Sequence, residues 1–460
     1  MRGAGVYSAG VHERAVEQLA ASYRAIPEAA PVRLAKKTSN LFRPRAATGA
    51  PGLDVSGLAG VISIDTVAGT ADVQGMCTYE RLVAATLPHG LAPMVVPQLK
   101  TITLGGAVTG LGIESTSFRS GLPHESVLEM DILTGAGEIV TARPDGPHED
   151  LFHGFPNSYG TLGYATRLRI ALEEVTPYVA LRHVRFRDLE SLVETMDAVI
   201  GSGQHDAVPV DYVDGVVFSA TESYLTLGTK TAEPGPVSDY TGAGVFYRSI
   251  QHDGPGPRQD RLTTHDYLWR WDTDWFWCSR AFGAQHPLLR RLWPRRLRRS
   301  SFYWKLMALD HRFGIADRIE ARHGRPARER VVQDVEVPIG RCAEFLHWFL
   351  REIPIEPVWL CPVRSRGEWP LYPLRPGQSY VNIGFWSSVP RDPSAPGATN
   401  RLIESEVSAL DGHKSLYSDA YYDEAEFWSL YGGETYAALK KRYDPDSRLL
   451  DLYSKAVRRK

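Results

Sequence analysis

The stretch QLKTITLGGAVTGLGIESTSFRSGL, residues 98–122, carries the information that decides the fold. Gly105, Gly106, Gly110 and Gly112 alternate there with hydroxyl residues: Thr101, Thr103, Thr109, Ser115, Thr116 and Ser117. Glycine lets a backbone approach a phosphate closely, and N–H groups and hydroxyls supply uncharged donors. Two further polar loops lie nearby, KKTSNLFR (36–43) and FPNSYGTLGY (155–164). One such loop reads as a tight strand connection; three in one region point to a shared anionic ligand. That ligand is not held as in a Rossmann unit or a P-loop. GGAVTGLG does not fit G-x-G-x-x-G, opens no clear helix, and has no Gly-Lys-Ser/Thr ending.

Around these loops the pattern is of short strands broken by glycine: GVISID (60–65), TADVQG (70–75), VLEMDILT (127–134) and EIVTA (138–142). Gly135-Ala136-Gly137 between the last two is a hairpin signal. Residues 79–87 read as a short helix and 164–172 as a strand with Thr166, Leu168 and Ile170 on one face. An amphipathic helix precedes the region, with Val11, Val16, Leu19, Tyr23 and Ile26 at helical spacing. After Pro177 two strand–helix–strand units follow: 179–186, 188–200 and the strand pair 212–231, then 334–339, 342–353 and 357–363. They resemble the halves of a split βαβ sandwich. Residues 424–460 read as helical with a break at Asp444-Pro445.

The chain of 460 residues, 43% apolar, is long enough for two domains and for a core without metal or disulfide. Its 52 Lys+Arg against 54 Asp+Glu give no whole-protein attraction to nucleic acid. Cys77, Cys278, Cys342 and Cys361 show no C-x-x-C spacing, so no metal site is expected. No signal peptide or spanning helix is expected either, and the chain is placed in the cytoplasm.

The motifs GLGIESTSF with SGL (110–122), YGTLGY (159–164), YVDGVVFS (212–219), VWLCP (358–362) and EFW (426–428) together resemble the FAD-linked oxidoreductases of the vanillyl-alcohol-oxidase, or PCMH, type. Within that type they are most similar to the delta-24 sterol reductase group and to bacterial methylene-fatty-acyl reductases. The resemblance implies an α+β fold: a two-subdomain FAD-binding domain (1–178), an α+β cap domain (179–423), and a C-terminal helical segment (424–460) returning to the first. It places Thr38, Ser39 and Asn40 in the first flavin loop. Thr103, Gly105, Gly106, Gly110, Gly112, Ile113, Glu114 and Ser115 would line the pyrophosphate and ribityl chain, and Gly160, Thr161, Leu162 and Gly163 the far side. KKTSNLFR lacks the histidine of relatives that bind flavin covalently, so the FAD is expected to be non-covalent.

The resemblance further implies reduction of an isolated C=C bond in a lipid, with electrons from NADPH. Hydride comes from the flavin and a proton from the protein. The segment HKSLYSDAYYDEAEFW (413–428) matches the family near the flavin and offers His413, Tyr417, Tyr421, Tyr422 and Glu426; Glu222 is a second candidate acid. Tyr417 and Tyr421 come first, because a neutral phenol donates a proton without burying a charge. The preferred substrate is a methylene-branched fatty acyl chain, reduced to the methyl-branched chain. A sterol side chain, an oxygen-using oxidase of the same fold, and a flavin-less lipid-binding protein are the alternatives.

Residues 266–307 hold six of the eleven tryptophans, and eight basic residues without an acid run from Arg280 to Lys305. Tryptophan favours the lipid–water boundary and arginine clusters favour anionic headgroups. The segment is therefore read as a contact with an anionic membrane surface, placing the chain peripherally on the inner face of the cell membrane. Cap packing and dimer contacts are the competing readings.

Overall fold

The computed structural model describes residues 9–28, 30–36, 42, 52–254 and 256–458. The alternating segments of the first region become β1 (Val61–Asp65), β2 (Thr70–Gln74), β3 (Leu91–Pro93), β4 (Val127–Thr134), β5 (Ile139–Ala142) and β6 (Gly163–Glu174). They form one antiparallel sheet ordered β1-β2-β6-β4-β5, with β3 also paired to β6. In β6 Leu168, Ile170 and Leu172 are buried while Arg169 between them is exposed, as the period-two pattern requires. Gly137 takes φ +84° in the β4–β5 turn, a conformation that costs glycine little.

The second region builds a larger sheet. Its strands are β7 (Tyr178–Phe186), β10 (Tyr212–Ser219), β11 (Glu222–Thr231), β12 (Arg258–Thr263), β13 (Arg328–Pro338), β14 (Val358–Arg364), β15 (Ser379–Pro390) and β16 (His413–Lys414). A two-stranded ribbon, β8 (Gln204–His205) and β9 (Val208–Pro209), stands apart. The order is β12-β7-β11-β10-β14-β15-β13-β16, so the two expected strand–helix–strand units meet at the centre through β10 and β14. Their helices, Leu189–Ser202 and Ile339–Glu352, pack on the same face with the helix Ala398–Ala409. Leu225, Leu227, Val335, Leu360 and Phe385 point to those helices, while Tyr212, Val216, Trp359 and Cys361 point the other way. Each fully buried Leu or Phe contributes roughly 2–3 kcal/mol.

The second face does not end at the sheet. Its side chains join those of the first sheet in one continuous core, and the C-terminal helices close it. The helix Gly433–Tyr443 places Lys440 Nζ 2.8 Å from the Thr161 carbonyl, and Lys455, on the helix Leu452–Ala456, donates to the Tyr159 carbonyl at 2.6 Å. The fold is α+β, with the C-terminal helices returning to the first sheet as expected.

One sequence reading is corrected here. GGAVTGLG does belong to a helix, Leu104–Gly110, whose N-cap Thr103 accepts a hydrogen bond from the Gly106 N–H at 3.2 Å. Three glycines hide it from propensity reasoning, and the threonine cap is the signal that could have found it.

Candidate active site

The two sheets enclose a cavity of about 390 Å³. From the first sheet and its loops come residues 97–99, 102–103, 105–107 and 109–114, together with Tyr159, Gly160, Gly163 and Tyr164. From the second come Asp334 of β13, Trp359 of β14 and Trp386 of β15.

Of the loop residues expected to hold a cofactor, Thr103, Gly105, Gly106, Gly110, Gly112, Ile113, Glu114, Gly160 and Gly163 line this cavity. Thr38, Ser39 and Asn40 lie outside the described residues. Ser115, Thr161 and Leu162 do not line it. The Ser115 hydroxyl accepts from Tyr267 at 3.0 Å and its carbonyl accepts from Val213 of β10, so it ties the loop to the second sheet. Thr161 donates to the Ser158 carbonyl at 2.7 Å, and Leu162 is core.

The glycines act through packing as much as through openness. The Gly105 N–H donates to the Gly75 carbonyl at 2.8 Å, and a Cβ on Gly105 would stand 2.7 Å from that oxygen. A Cβ on Gly112 would meet the Pro123 and Pro97 rings at 3.1 and 3.2 Å. Glu114 is a clamp: its carboxyl accepts from the Gln98 backbone at 2.9 Å and from Gln98 Nε2 at 2.7 Å. Burial pushes it up to about 8, with Arg270 pulling the other way. Beneath it Arg270 and Asp214 form a fully buried ion pair at 2.8 Å, to which Trp271 Nε1 donates at 3.1 Å.

Three cations also line the cavity: Arg33, Lys36 and Lys455, with Lys36 Nζ 3.0 Å from Thr103 Oγ1. Close-packed glycines, hydroxyls and cations on one enclosed space suit an elongated dianion such as the pyrophosphate of FAD. A second group of lining residues is aromatic: Phe42, Trp275, Phe276, Trp359, Trp386 and Tyr417. Phe42 stacks on Trp275 at 5.6 Å, and Phe276 lies 4.2 Å from Trp386. Trp275 and Phe276 hold φ of +47° and +59°, a left-handed pair that bulky residues adopt only when the surroundings over-determine them. Flat, apolar walls of this kind suit a tricyclic ring. The residues present fit FAD.

Of the candidate acids, Tyr417 faces the cavity, accepts a hydrogen bond from Trp386 Nε1 at 3.0 Å, and is held far above the usual phenol range by burial. The other three do not line it. Tyr421 lies against Gly397 and beneath Arg401, at the N-terminal end of the helix Ala398–Ala409. Glu222 opens β11 and accepts from Tyr224 at 3.0 Å, and Glu426 is exposed in the first turn of the helix Glu424–Leu430. His413 and Tyr422 are also away from the cavity.

Sequence reasoning missed Asp334. It lines the cavity beside Tyr417 and Asn382, its Oδ1 has no hydrogen-bond partner among the described residues, and burial pushes its carboxyl up to about 7. Gly384 stands opposite it across β13–β15, and a Cβ there would come within 2.5 Å of that oxygen. The signal was present in DVEVPI: acids at 334 and 336 alternate with valines in a strand, Asp334 half-buried and Glu336 buried.

Four of the six tryptophans of residues 266–307 are placed otherwise than the sequence reading has them. Trp269, Trp271, Trp275 and Trp277 are buried, packing against Phe246, Phe276 and Trp386 rather than facing lipid. Arg290 pairs with Asp274 at 2.7 Å, Arg298 donates to the Gly242 carbonyl at 2.6 Å, and Arg299 pairs with Glu80 at 2.8 Å.

Residues 9–143 match the FAD binding domain family. The chain is 26% identical over 444 residues to the Delta(24)-sterol reductase of Arabidopsis thaliana, covering 88% of this chain and 76% of that protein. It is 25% identical over 422 residues to the Delta(24)-sterol reductase of Homo sapiens, covering 86% and 75%. Cytokinin dehydrogenase 6 of Oryza sativa subsp. japonica is 34% identical over 146 residues, 32% of this chain. The chain thus carries a PCMH-type FAD-binding domain, that of an FAD-linked oxidoreductase, and is similar to sterol reductases over most of its length.

Proposed function

We propose that this FAD-linked oxidoreductase saturates an isolated C=C bond in a lipid, with NADPH as the electron donor. Residues 1–178 would form the FAD-binding domain and 179–423 the cap. The observation that carries the reading is a cavity joining a polar glycine-and-cation wall to an aromatic wall that holds one unpartnered carboxyl oxygen. When bound, FAD would supply the hydride; Thr103, Gly106, Lys36 and Lys455 would hold its charged part.

In this reading the proton that completes the saturation comes from a side chain that lines the cavity. Asp334 holds a proton near neutrality because burial disfavours its charge, and Tyr417 beside it stays neutral. In this reading Asp334 is the proton source and Tyr417 the group that presents the proton to the alkene carbon. Trp386 Nε1 fixes the phenol oxygen. Tyr417→Phe and Asp334→Asn should each keep FAD, leave flavin reduction by NADPH unchanged, and slow product formation by roughly 10²-fold. Wild-type turnover should fall as pH rises through about 7, and the Asn variant should lose that fall. Unchanged product formation in both variants removes the pair from the mechanism.

A lipid substrate resides in a bilayer, so the protein would work peripherally at a membrane surface. The names of the relatives support a sterol side chain; we prefer a methylene-branched fatty acyl chain, the other substrate that the motif resemblance suggests. Incubating the enzyme with both substrates, and comparing fatty acids and sterols in cells with and without the protein, decides between them. Rapid oxygen consumption without substrate reduction would favour an oxidase instead.

A further inference from the structure

Seven of the thirteen large apolar side chains that the described residues leave exposed lie within residues 288–319. Leu288, Leu289 and Leu292 sit on the helix Pro287–Leu292, Leu309 and Phe313 on the helix Ser300–Phe313, and Ile315 and Ile319 on the helix Ile315–Arg322. Leu288 and Leu292 are 70% and 80% exposed and, four residues apart, share one face. Seven exposed apolar side chains on three consecutive helices make this segment a candidate docking surface.

The charge around it selects the partner. Between 287 and 322 the sequence has ten Lys+Arg and three Asp+Glu. Arg290, Arg298 and Arg299 are engaged within the fold, but Arg291, Arg295, Arg296, Lys305, Arg312 and Arg318 are exposed alongside the leucines. Apolar side chains rimmed by cations match an anionic bilayer, where leucines enter the acyl boundary and arginines meet headgroups. No helix among the described residues is long and apolar enough to cross a membrane.

Its position gives the contact a purpose. Trp304, on the helix Ser300–Phe313, packs 4.6 Å from Phe42 and 5.3 Å from Trp275, both of which line the cavity. The helix that carries Leu309 and Phe313 therefore backs the cavity's aromatic wall. We infer that residues 287–322 dock on an anionic membrane and deliver a bilayer lipid to the cavity. The buried tryptophans of 269–277 have no part in this contact. The delivery rests on the lipid-substrate reading; the docking does not.

The test uses the full chain and vesicles of phosphatidylcholine with or without phosphatidylglycerol, read by co-sedimentation. Wild type should pellet with the phosphatidylglycerol vesicles, and less as salt rises. Leu288→Ser/Leu292→Ser should weaken partitioning at least tenfold, since both side chains are exposed and support no packing. Arg291→Gln/Arg295→Gln/Arg296→Gln should weaken it roughly a hundredfold, at about one order-of-magnitude step of attraction per one to two arginines. Turnover of a detergent-dispersed lipid is measured separately in every variant. Vesicle binding without lipid reduction would overturn the substrate reading and leave docking intact. Wild type that ignores vesicles would overturn docking. Variants that bind vesicles like wild type, or that turn a dimer into monomers without affecting vesicle binding, would overturn it too, the last assigning the face to a second copy of the chain.

Discussion

A carboxyl enclosed by protein and held by neutral donors, as Glu114 is, changes stability with pH in a direction fixed by its surroundings. Its folded value of about 8 lies above the ordinary 4.5, so the folded chain keeps a proton that the unfolded chain releases. The associated stability is full below about 4.5 and is lost as pH rises toward 8, at on the order of 1.4 kcal/mol per pH unit. Asp334, held up at about 7, adds to the loss over the lower part of that window. Buried His124 and His183 act oppositely: burial pushes them down to about 3 and about 4, so they remove stability as pH falls below 6.5. Denaturant midpoints should therefore be highest near pH 5–6.5 and decline toward 8. Glu114→Gln keeps the shape of the protonated acid and should flatten that alkaline decline while lowering stability little at pH 5. An equally steep decline in the variant would mean that Glu114 is charged in the fold.

At the scale of elements, the strand pattern was legible because one face of each sheet is buried and the period is two; VWLCP sends Val358 and Leu360 to the helices and Trp359 and Cys361 toward the cavity. The glycine loop was legible as a site but not as structure. Glycines were read as room for a phosphate, whereas Gly105 is required where the helix Leu104–Gly110 lies on the backbone of Gly75, and Gly112 where two proline rings close in. The tryptophans were misread because composition reports an amphipathic preference, not which side of an element faces water. Asp334 escaped because its importance depends on β13 and β15 meeting in register. These contacts predict a ranking. Gly105→Ala would set a methyl against a backbone oxygen that cannot move aside, so it should lower both the melting temperature and the flavin content. Gly112→Ala meets only ring edges a few tenths of an ångström too close and should be tolerated better, while Gly112→Val should cost about 1–3 kcal/mol through overpacking. Thermal melts with flavin absorbance on the three variants check the order; Gly112→Ala more damaging than Gly105→Ala would refute it.

The whole molecule places its cavity between two sheets that share one continuous core, with the C-terminal helices fastened to the first sheet by Lys440 and Lys455. A flavin bound there would touch both halves, so its release and the loss of tertiary structure should coincide. None of the described residues lining the cavity is His or Cys, two of the side chains that attach flavin covalently, and the loop 36–43 has neither. Acid precipitation should therefore leave the yellow chromophore in the supernatant. Heating should give a single transition, in which tryptophan emission and flavin fluorescence change at the same temperature. Added FAD at about a hundredfold over its dissociation constant should stabilise the protein by about 2.7 kcal/mol and raise both signals together. Flavin retained in the acid pellet would show a covalent attachment, to a cavity tyrosine or outside the described residues. Two separated transitions, with flavin leaving in the first, would show that the sheets unfold independently and that the shared core does not couple them.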